Sequence, residues 1–323
     1  MTVHATGRGQ RPEVIPEQSD FEADILAGLA ADPKRIPPKH FYDTEGSRLF
    51  EAITRQPEYY PTRTEIGILK TRAREIAEII PANSALVEFG SGACTKVRIL
   101  CDAVPALTAF VPVDISGPFL NRQAAELGHA YPRLAVHPVA ADFSKPFSLP
   151  QDVRGMPKTG FFPGSTIGNF EPHETAAFLQ HARTVLGAGA FLIVGVDLVK
   201  DAATLNKAYN DAAGVTARFN LNLLRRINRE LQGRFDLRAF SHHAFFNPER
   251  SRIEMHLASV KSQTVAVAGR SFAFRAGERI HTENSYKYSL ASFASLARGC
   301  GWTAHASWTD TDRLFSVHVL RTE

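Results

Sequence analysis

Three short stretches of the chain end in residue types that suit a nucleoside. VEFGSGACTK, residues 87–96, closes an apolar run with Gly90 and Gly92, which let the chain turn sharply and a ligand approach the backbone. FVPVDIS sets Asp114 at the end of the next apolar run, where a carboxylate can accept hydrogen bonds from both hydroxyls of a ribose. AADF then offers Asp142 to an adenine amine and Phe143 to an adenine face. Each signal alone is weak, because Gly-x-Gly turns are common and Asp114 or Asp142 could equally cap a following helix. Jointly they favour a cofactor. Thr95 stands where a dinucleotide fingerprint carries its third glycine, which counts against a dehydrogenase.

Residues this far apart meet only if a sheet gathers them. Apolar runs at 85–89, 108–114, 134–140, 159–165 and 190–198 alternate with helical patterns, which predicts a mostly parallel sheet with helices on both faces. At the C-terminus, SLASFASLARGCG reads as a helix, and TAHASWTD and RLFSVHVLRT as a hairpin. Upstream, TRTEIGILKTRAREIAEII predicts one amphipathic helix, opened by a Thr62–Glu65 capping box and ended by Pro81. Between 200 and 286 the rhythm changes. A long helical stretch, AATLNKAYNDAAGVTARFNLNLLRRINREL, precedes strands such as SRIEMHLAS, in which Ile253, Met255 and Leu257 share one face and Arg252, Glu254 and His256 the other. The expected division is a disordered tail over 1–19, a substrate-binding domain of 20–62 with 199–286, and a sheet domain of 63–198 with 287–323.

Composition excludes several classes. At 323 residues the chain is long for one core, and 37 basic against 33 acidic residues give only +4, no argument for nucleic acid or membrane. Arg225, Arg226 and Arg229 read as a solvated helix face. No apolar segment approaches the roughly 20 residues of a membrane helix, so a soluble, cytoplasmic protein is expected. Cys94, Cys101 and Cys300 are too few for a disulfide framework. No metal is expected: His242 and His243 are adjacent and would point to opposite faces of a strand.

QPEYYPTRTE, residues 56–65, sets Tyr59 and Tyr60 between two prolines, where neither helix nor central strand is comfortable. PGSTIGNFEP, residues 163–172, follows the fourth strand. Its Gly-Asn-Phe-Glu-Pro differs from the Asn-Pro-Pro-aromatic run of base-directed amino-methyltransferases, which lowers the weight of a nucleic-acid substrate. With HFYDTEGSRLFEAITRQPEYYPTRTE, VEFGSGACTK, GVDLVKD, AYNDAAGVTARFN and HTENSYK, these blocks resemble the histidine N-alpha-methyltransferases of ergothioneine biosynthesis from about residue 36 to the C-terminus.

The resemblance implies a Rossmann-like class I methyltransferase sheet with helices on both faces plus a second α+β domain that binds substrate. It implies S-adenosyl-L-methionine as cofactor and three methyl transfers to the α-amino group of L-histidine, giving hercynine; another free amino acid such as tryptophan is the alternative. The chain is expected to act as a monomer. Carried over by motif position, Gly90, Lys96, Asp114, Asp142 and Phe143 would hold the cofactor. Tyr42, Tyr59, Gly164, Asn169, Tyr209, Glu283 and Ser285 would surround the histidine, with Met255 lining its ring end. Asn169 and Tyr209 would grip the carboxylate, while Glu283 and Ser285, on one side of an extended segment, would bind the two ring nitrogens with help from Tyr59. Tyr60 is expected to pack against the helix that follows. Tyr42 or Phe219 could face the cationic product. No general base stands out.

Overall fold

The computed structural model describes residues 18–92 and 94–322 of the chain. Residues 1–17 of the expected tail lie outside the described residues, and a helix opens at Gln18.

Eight strands form one sheet in the order Trp302–Thr309, Phe315–Thr322, Phe191–Asp197, Lys158–Phe162, Ala85–Phe89, Ala109–Asp114 and Ala135–Val136, with Val139–Ala140 also pairing Ala109–Asp114. Every pair from Phe191–Asp197 onward is parallel, and the C-terminal hairpin adds two antiparallel strands. This is the Rossmann-like order of a class I methyltransferase. All five residues of Ala85–Phe89 are buried, as a central parallel strand covered on both faces requires. Strand order reverses beside this strand, and the crevice outside its carboxyl end is where open sheets of this type bind ligands.

Four sequence expectations need correction. The run 134–140 is two two-residue pieces, since Pro138 sits between them and has no N–H to give a ladder. The helix expected from Thr62 starts at Tyr60 and is two helices, Tyr60–Thr71 and Ala73–Ile79, broken at Arg72. Pro61 lies in its first turn, where a missing N–H costs nothing, and Glu65 is fully buried instead of capping. The expected domain boundary at 62/63 therefore falls inside a helix. The long stretch after residue 200 is also two helices, Ala202–Tyr209 and Val215–Glu230. Between them Gly214 adopts φ +64°, and the Asp211 carboxylate accepts hydrogen bonds from the N–H groups of Val215 and Thr216 at 2.7 and 2.8 Å.

A second sheet runs in the order Lys34–Arg35, Arg279–Tyr286, Arg252–Ser259 and Phe240–Asn247. Its inner face and the helices around it bury one hydrophobic cluster drawn from Phe21 to Tyr60 and from Leu205 to Ile280. Two other clusters fill the two faces of the eight-stranded sheet. Arg226 is not part of a solvated face. It lies 4.3 Å over the Phe21 ring and donates to the His40 carbonyl at 3.0 Å, tying the N-terminal segment to the helix Val215–Glu230, while Arg225 and Arg229 are exposed.

Candidate active site

The tips of the first three parallel strands converge as the spacing of their motifs predicts. Gly90 has φ +72°, and its N–H donates to the Val113 carbonyl at 2.8 Å, so the first two tips are joined. A Cβ added at Gly90 would stand 3.2 Å from the Phe143 ring, whereas one at Gly92 would meet nothing within 4 Å. Phe143 is half-buried, edge-on to Phe162 at 5.6 Å and Phe178 at 6.1 Å. Asp114 accepts from the N–H of Ser116 at 2.8 Å. Burial pushes its pKa up to about 6, against the pull of that backbone donor. Asp142 accepts from the backbone and hydroxyl of Ser144 at 3.0 and 2.5 Å and lies 3.9 Å from the Lys39 ammonium.

At the fourth tip, Gly164 adopts φ +83° and donates its N–H to both oxygens of Glu65 at 2.9 Å. Glu65 also accepts from Lys96 at 2.5 Å. Lys96, which rises from the first tip, is thus linked through Glu65 to the turn at the fourth. Glu65 owes its room to Gly195, where a Cβ would come within 2.0 Å of its Oε1. Asn169 closes the short turn Thr166–Asn169 and is half-buried.

Facing these tips, the inner side of the second sheet carries Met255 paired with Glu283, and Ile253 paired with Ser285. A bulge between His281 and Glu283 re-aims this strand, and Thr282 within it donates to Asn220 Oδ1 at 2.9 Å and the Met255 carbonyl at 3.1 Å. The Glu283 carboxylate accepts no hydrogen bond from any described residue. Burial pushes its pKa up to about 8, opposed only by Lys287. Three tyrosines close around it. Tyr59 and Tyr209 meet edge-on at 6.2 Å, and Tyr42 packs on Phe50 and Phe219 at 5.7 and 5.9 Å. Burial holds the Tyr42 phenol protonated well above its usual range; the Glu283 carboxylate, Tyr59 and Asp114 add to this. Tyr42 thus lies near enough to both Glu283 and Asp114 to feel their charge.

Behind Ser285 lies a buried ion cluster. Lys287, whose side chain is fully buried, donates to Asp197 at 2.7 Å, to Ser285 Oγ at 2.7 Å and to the Tyr209 hydroxyl at 3.3 Å. Tyr209 in turn donates to Ser285 at 2.7 Å. Lys287 fills acceptor positions on both hydroxyls and one hydroxyl hydrogen bridges them, so one hydrogen remains to point outward. Asp197 also accepts from Tyr60 and Lys200, at 2.8 and 2.6 Å. Burial works against its ionisation, but Lys287 and Lys200 outweigh it and keep its pKa below the usual carboxylate value. Tyr60 therefore serves this cluster and does not pack against its own helix as expected.

A model of the family described as histidine-specific methyltransferase, SAM-dependent, matches residues 21–322. The chain belongs to this family. It is 44% identical over 296 residues to histidine N-alpha-methyltransferase of Mycolicibacterium smegmatis, covering 89% of this chain and 90% of that protein. It is 42% identical over 292 residues to histidine N-alpha-methyltransferase of Mycobacterium tuberculosis, with coverage of 89% and 90%. Ergothioneine biosynthesis protein 1 of Neurospora crassa is 29% identical over 309 residues, which is 89% of this chain and 33% of that longer protein. Family membership makes the chain an S-adenosyl-L-methionine-dependent enzyme acting on histidine.

The donor set at the strand tips fits that cofactor: bare backbone at Gly90 and Gly92, a carboxylate at Asp114, and an aromatic ring at Phe143 with Asp142 beside it. Sequence reading missed Glu65, Asp197, Lys200, Lys287 and the buried Glu88, whose pKa burial pushes up to about 7 despite a 2.7 Å bond from Ser91. Glu65 was hidden by its resemblance to a capping residue. Lys287 ends the block HTENSYK, but only its pairing with Asp197 gives it meaning. His242 does not approach a metal arrangement; it bonds Asn220 and the Tyr209 carbonyl, both at 2.9 Å. Glu254, His256 and His281 do gather, with ligand-capable atoms within 4.8 Å of one another. The two rings are stacked 4.8 Å apart at 23°, so their in-plane lone pairs do not converge, and Glu254 is already paired with Arg252 at 2.8 Å. Among the described residues no helix is long and apolar enough to cross a membrane.

Proposed function

We propose the following division of labour for methylation of the α-amino group of L-histidine, carried through three transfers to hercynine. Gly90, Asp114, Asp142 and Phe143 hold S-adenosyl-L-methionine, and Lys96 braces the turn beside it. The cofactor supplies an electrophilic methyl carbon on a sulfonium. Because the leaving group is good, the protein's task is to hold the amine in line with that carbon, at about 3 Å. Asn169 grips the carboxylate of the substrate, whereas Tyr209, whose hydroxyl hydrogen is engaged by Ser285, braces the ring end instead of donating to the carboxylate. Glu283 accepts from one ring nitrogen, and the outward hydroxyl hydrogen of the Tyr209–Ser285 pair serves the other; Tyr59 lies alongside and Met255 forms the floor. Tyr42 stands between the ring end and the cofactor end, where its face can also stabilise the growing cation by roughly 0.5–2 kcal/mol.

The observation that carries this reading is Glu283: a half-buried carboxylate that accepts no hydrogen bond from any described residue, one strand step from a hydroxyl whose lone pairs are already filled. Such a group is costly unless a ligand completes it. An indole has one N–H and no acceptor, so it would leave the outward hydroxyl hydrogen of the pair unmatched, which counts against tryptophan. The proposed substrate-binding part comprises 20–62 and 199–286, its first segment ending within the helix Tyr60–Thr71 that joins the two parts, and is supported by the hydrophobic cluster that those segments share. We take the chain to act as a monomer in the cytoplasm. Incubation with labelled S-adenosyl-L-methionine and a panel of free amino acids tests the function. Histidine should carry nearly all the label; preferential labelling of tryptophan would overturn the assignment.

A further inference from the structure

The strands that present Met255, Glu283 and Ser285 inward carry a polar row on their outer face: Arg252 opposite Tyr286 and Glu254 opposite Asn284. Sequence periodicity marks this as a solvated side, yet Arg252, Glu254 and Asn284 are buried. What takes them out of water is Glu171, two residues past Asn169, at the head of the helix Pro172–Leu186 of the methyltransferase sheet. Its Oε1 accepts from Arg252 Nη1 at 2.8 Å and from Asn284 Nδ2 at 3.0 Å, and its Oε2 accepts from the Tyr286 hydroxyl at 2.6 Å. Arg252 is itself fixed by Glu254, through Nε at 2.8 Å, and donates to the Tyr286 hydroxyl at 2.7 Å. Burial raises the Glu171 pKa, and the three donors more than reverse it. From the helix side, Glu174 accepts the Glu171 N–H at 2.8 Å. The Glu171 side chain is thus held by three donors, although 34% of it stays exposed.

A second contact lies three residues earlier. A Cβ at Gly168 would stand 2.8 Å from the carbonyl oxygen and 3.1 Å from the nitrogen of Tyr286, so the turn Thr166–Asn169 rests directly on the backbone of the strand Arg279–Tyr286. Asn169 is therefore pinned from both sides, by Gly168 before it and Glu171 after it, against the strand whose opposite face holds Glu283 and Ser285. We propose that Glu171 is a positioning residue for the methyl transfer: it fixes the separation between Asn169, which holds the amino-acid end of the substrate, and the Glu283–Ser285 pair, which holds the ring. This rests on the substrate reading of Asn169 given above. The geometric reason is that a ligand gripped at two ends is aimed only as well as the distance between the grips is fixed, and an error of about 1 Å can cost on the order of 10²-fold in rate.

The test uses the full chain with S-adenosyl-L-methionine and L-histidine. Glu171→Gln should lower kcat by about tenfold to a hundredfold and raise the histidine KM, while the dissociation constant for S-adenosyl-L-methionine stays within about twofold, since Glu171 touches no strand tip. Tyr286→Phe, which removes one of three donors, should shift the same parameters less and serves if Glu171→Gln folds poorly. The discriminating measurement is a double-mutant cycle: in an Asn169→Ala background, Glu171→Gln should cost little further activity, because its effect passes through Asn169. Additive losses, or a wild-type kcat in Glu171→Gln alongside an impaired Asn169→Ala, would overturn the positioning role alone. Full activity in Asn169→Ala would instead overturn the substrate reading on which it rests.

Discussion

Glu283 should make the free enzyme less stable as the solution becomes more alkaline. Its carboxyl is raised from 4.5 to about 8 by burial, so between those values the folded state holds a proton that the unfolded state has released. Stability falls with pH wherever the native state binds more protons. Glu283 therefore costs nothing below about pH 4.5, costs progressively more as pH rises, and reaches its full penalty above about pH 8. At 1.36 kcal/mol per pH unit, the span from 4.5 to about 8 sets a ceiling of about 5 kcal/mol, with about 2 kcal/mol already present at pH 6. Glu283→Gln keeps the shape and removes the titration. Urea unfolding of the unliganded wild type and variant at pH 5, 6, 7, 8 and 9 should give nearly equal stability at the acid end and a variant more stable by several kcal/mol at the alkaline end. The same variant should bind histidine worse, because the stability cost is the trace of a site built to be completed by a ligand. Parallel curves, with a constant difference across the pH range, would refute the reasoning.

Three further outcomes follow from the same geometry. Gly195→Ala puts a methyl group 2.0 Å from Glu65 Oε1, so Glu65 must leave Gly164 and Lys96; kcat/KM should fall at least about tenfold and stability by about 1–3 kcal/mol, read by steady-state kinetics and denaturation. Lys287→Met leaves Asp197 with Lys200 and Tyr60 but strips the donor from Ser285 and Tyr209. It should cost about 3 kcal/mol in urea unfolding and raise the histidine KM, and an unchanged KM would remove Lys287 from the site. The Tyr59 hydroxyl is not bonded to any described residue, so Tyr59→Phe should raise the histidine KM by about tenfold while leaving stability within about 0.5 kcal/mol. A large loss of stability would show instead that Tyr59 only braces the domain contact.

Legibility followed the range of the interactions. The sheet was readable because apolar runs of strand length alternating with helical ones have few other solutions, and the runs at 85–89 and 190–198 match observed strands to within a residue at each end. The strand at 134–140 was misread because apolar character was weighed above the proline within it. The helix beginning at Tyr60 was misread because a Thr-x-x-Glu spacing is a local signal, and it says nothing of a glycine N–H ninety-nine residues away that claims the same carboxylate.

The sequence by itself determined the order of strands and helices, the glycine turn and acids that mark the cofactor end, and, through its motif blocks, the family. These are properties of residue type and short spacing, which the backbone's periodicities translate directly into place. Only the tertiary structure decided that Glu65 bridges Gly164 and Lys96, that Lys287 and Asp197 lie behind Ser285, and that a polar strand face is buried under Glu171. Each joins groups far apart in the chain, or sets the environment of one, and such pairings exist only once the elements that carry them are packed together.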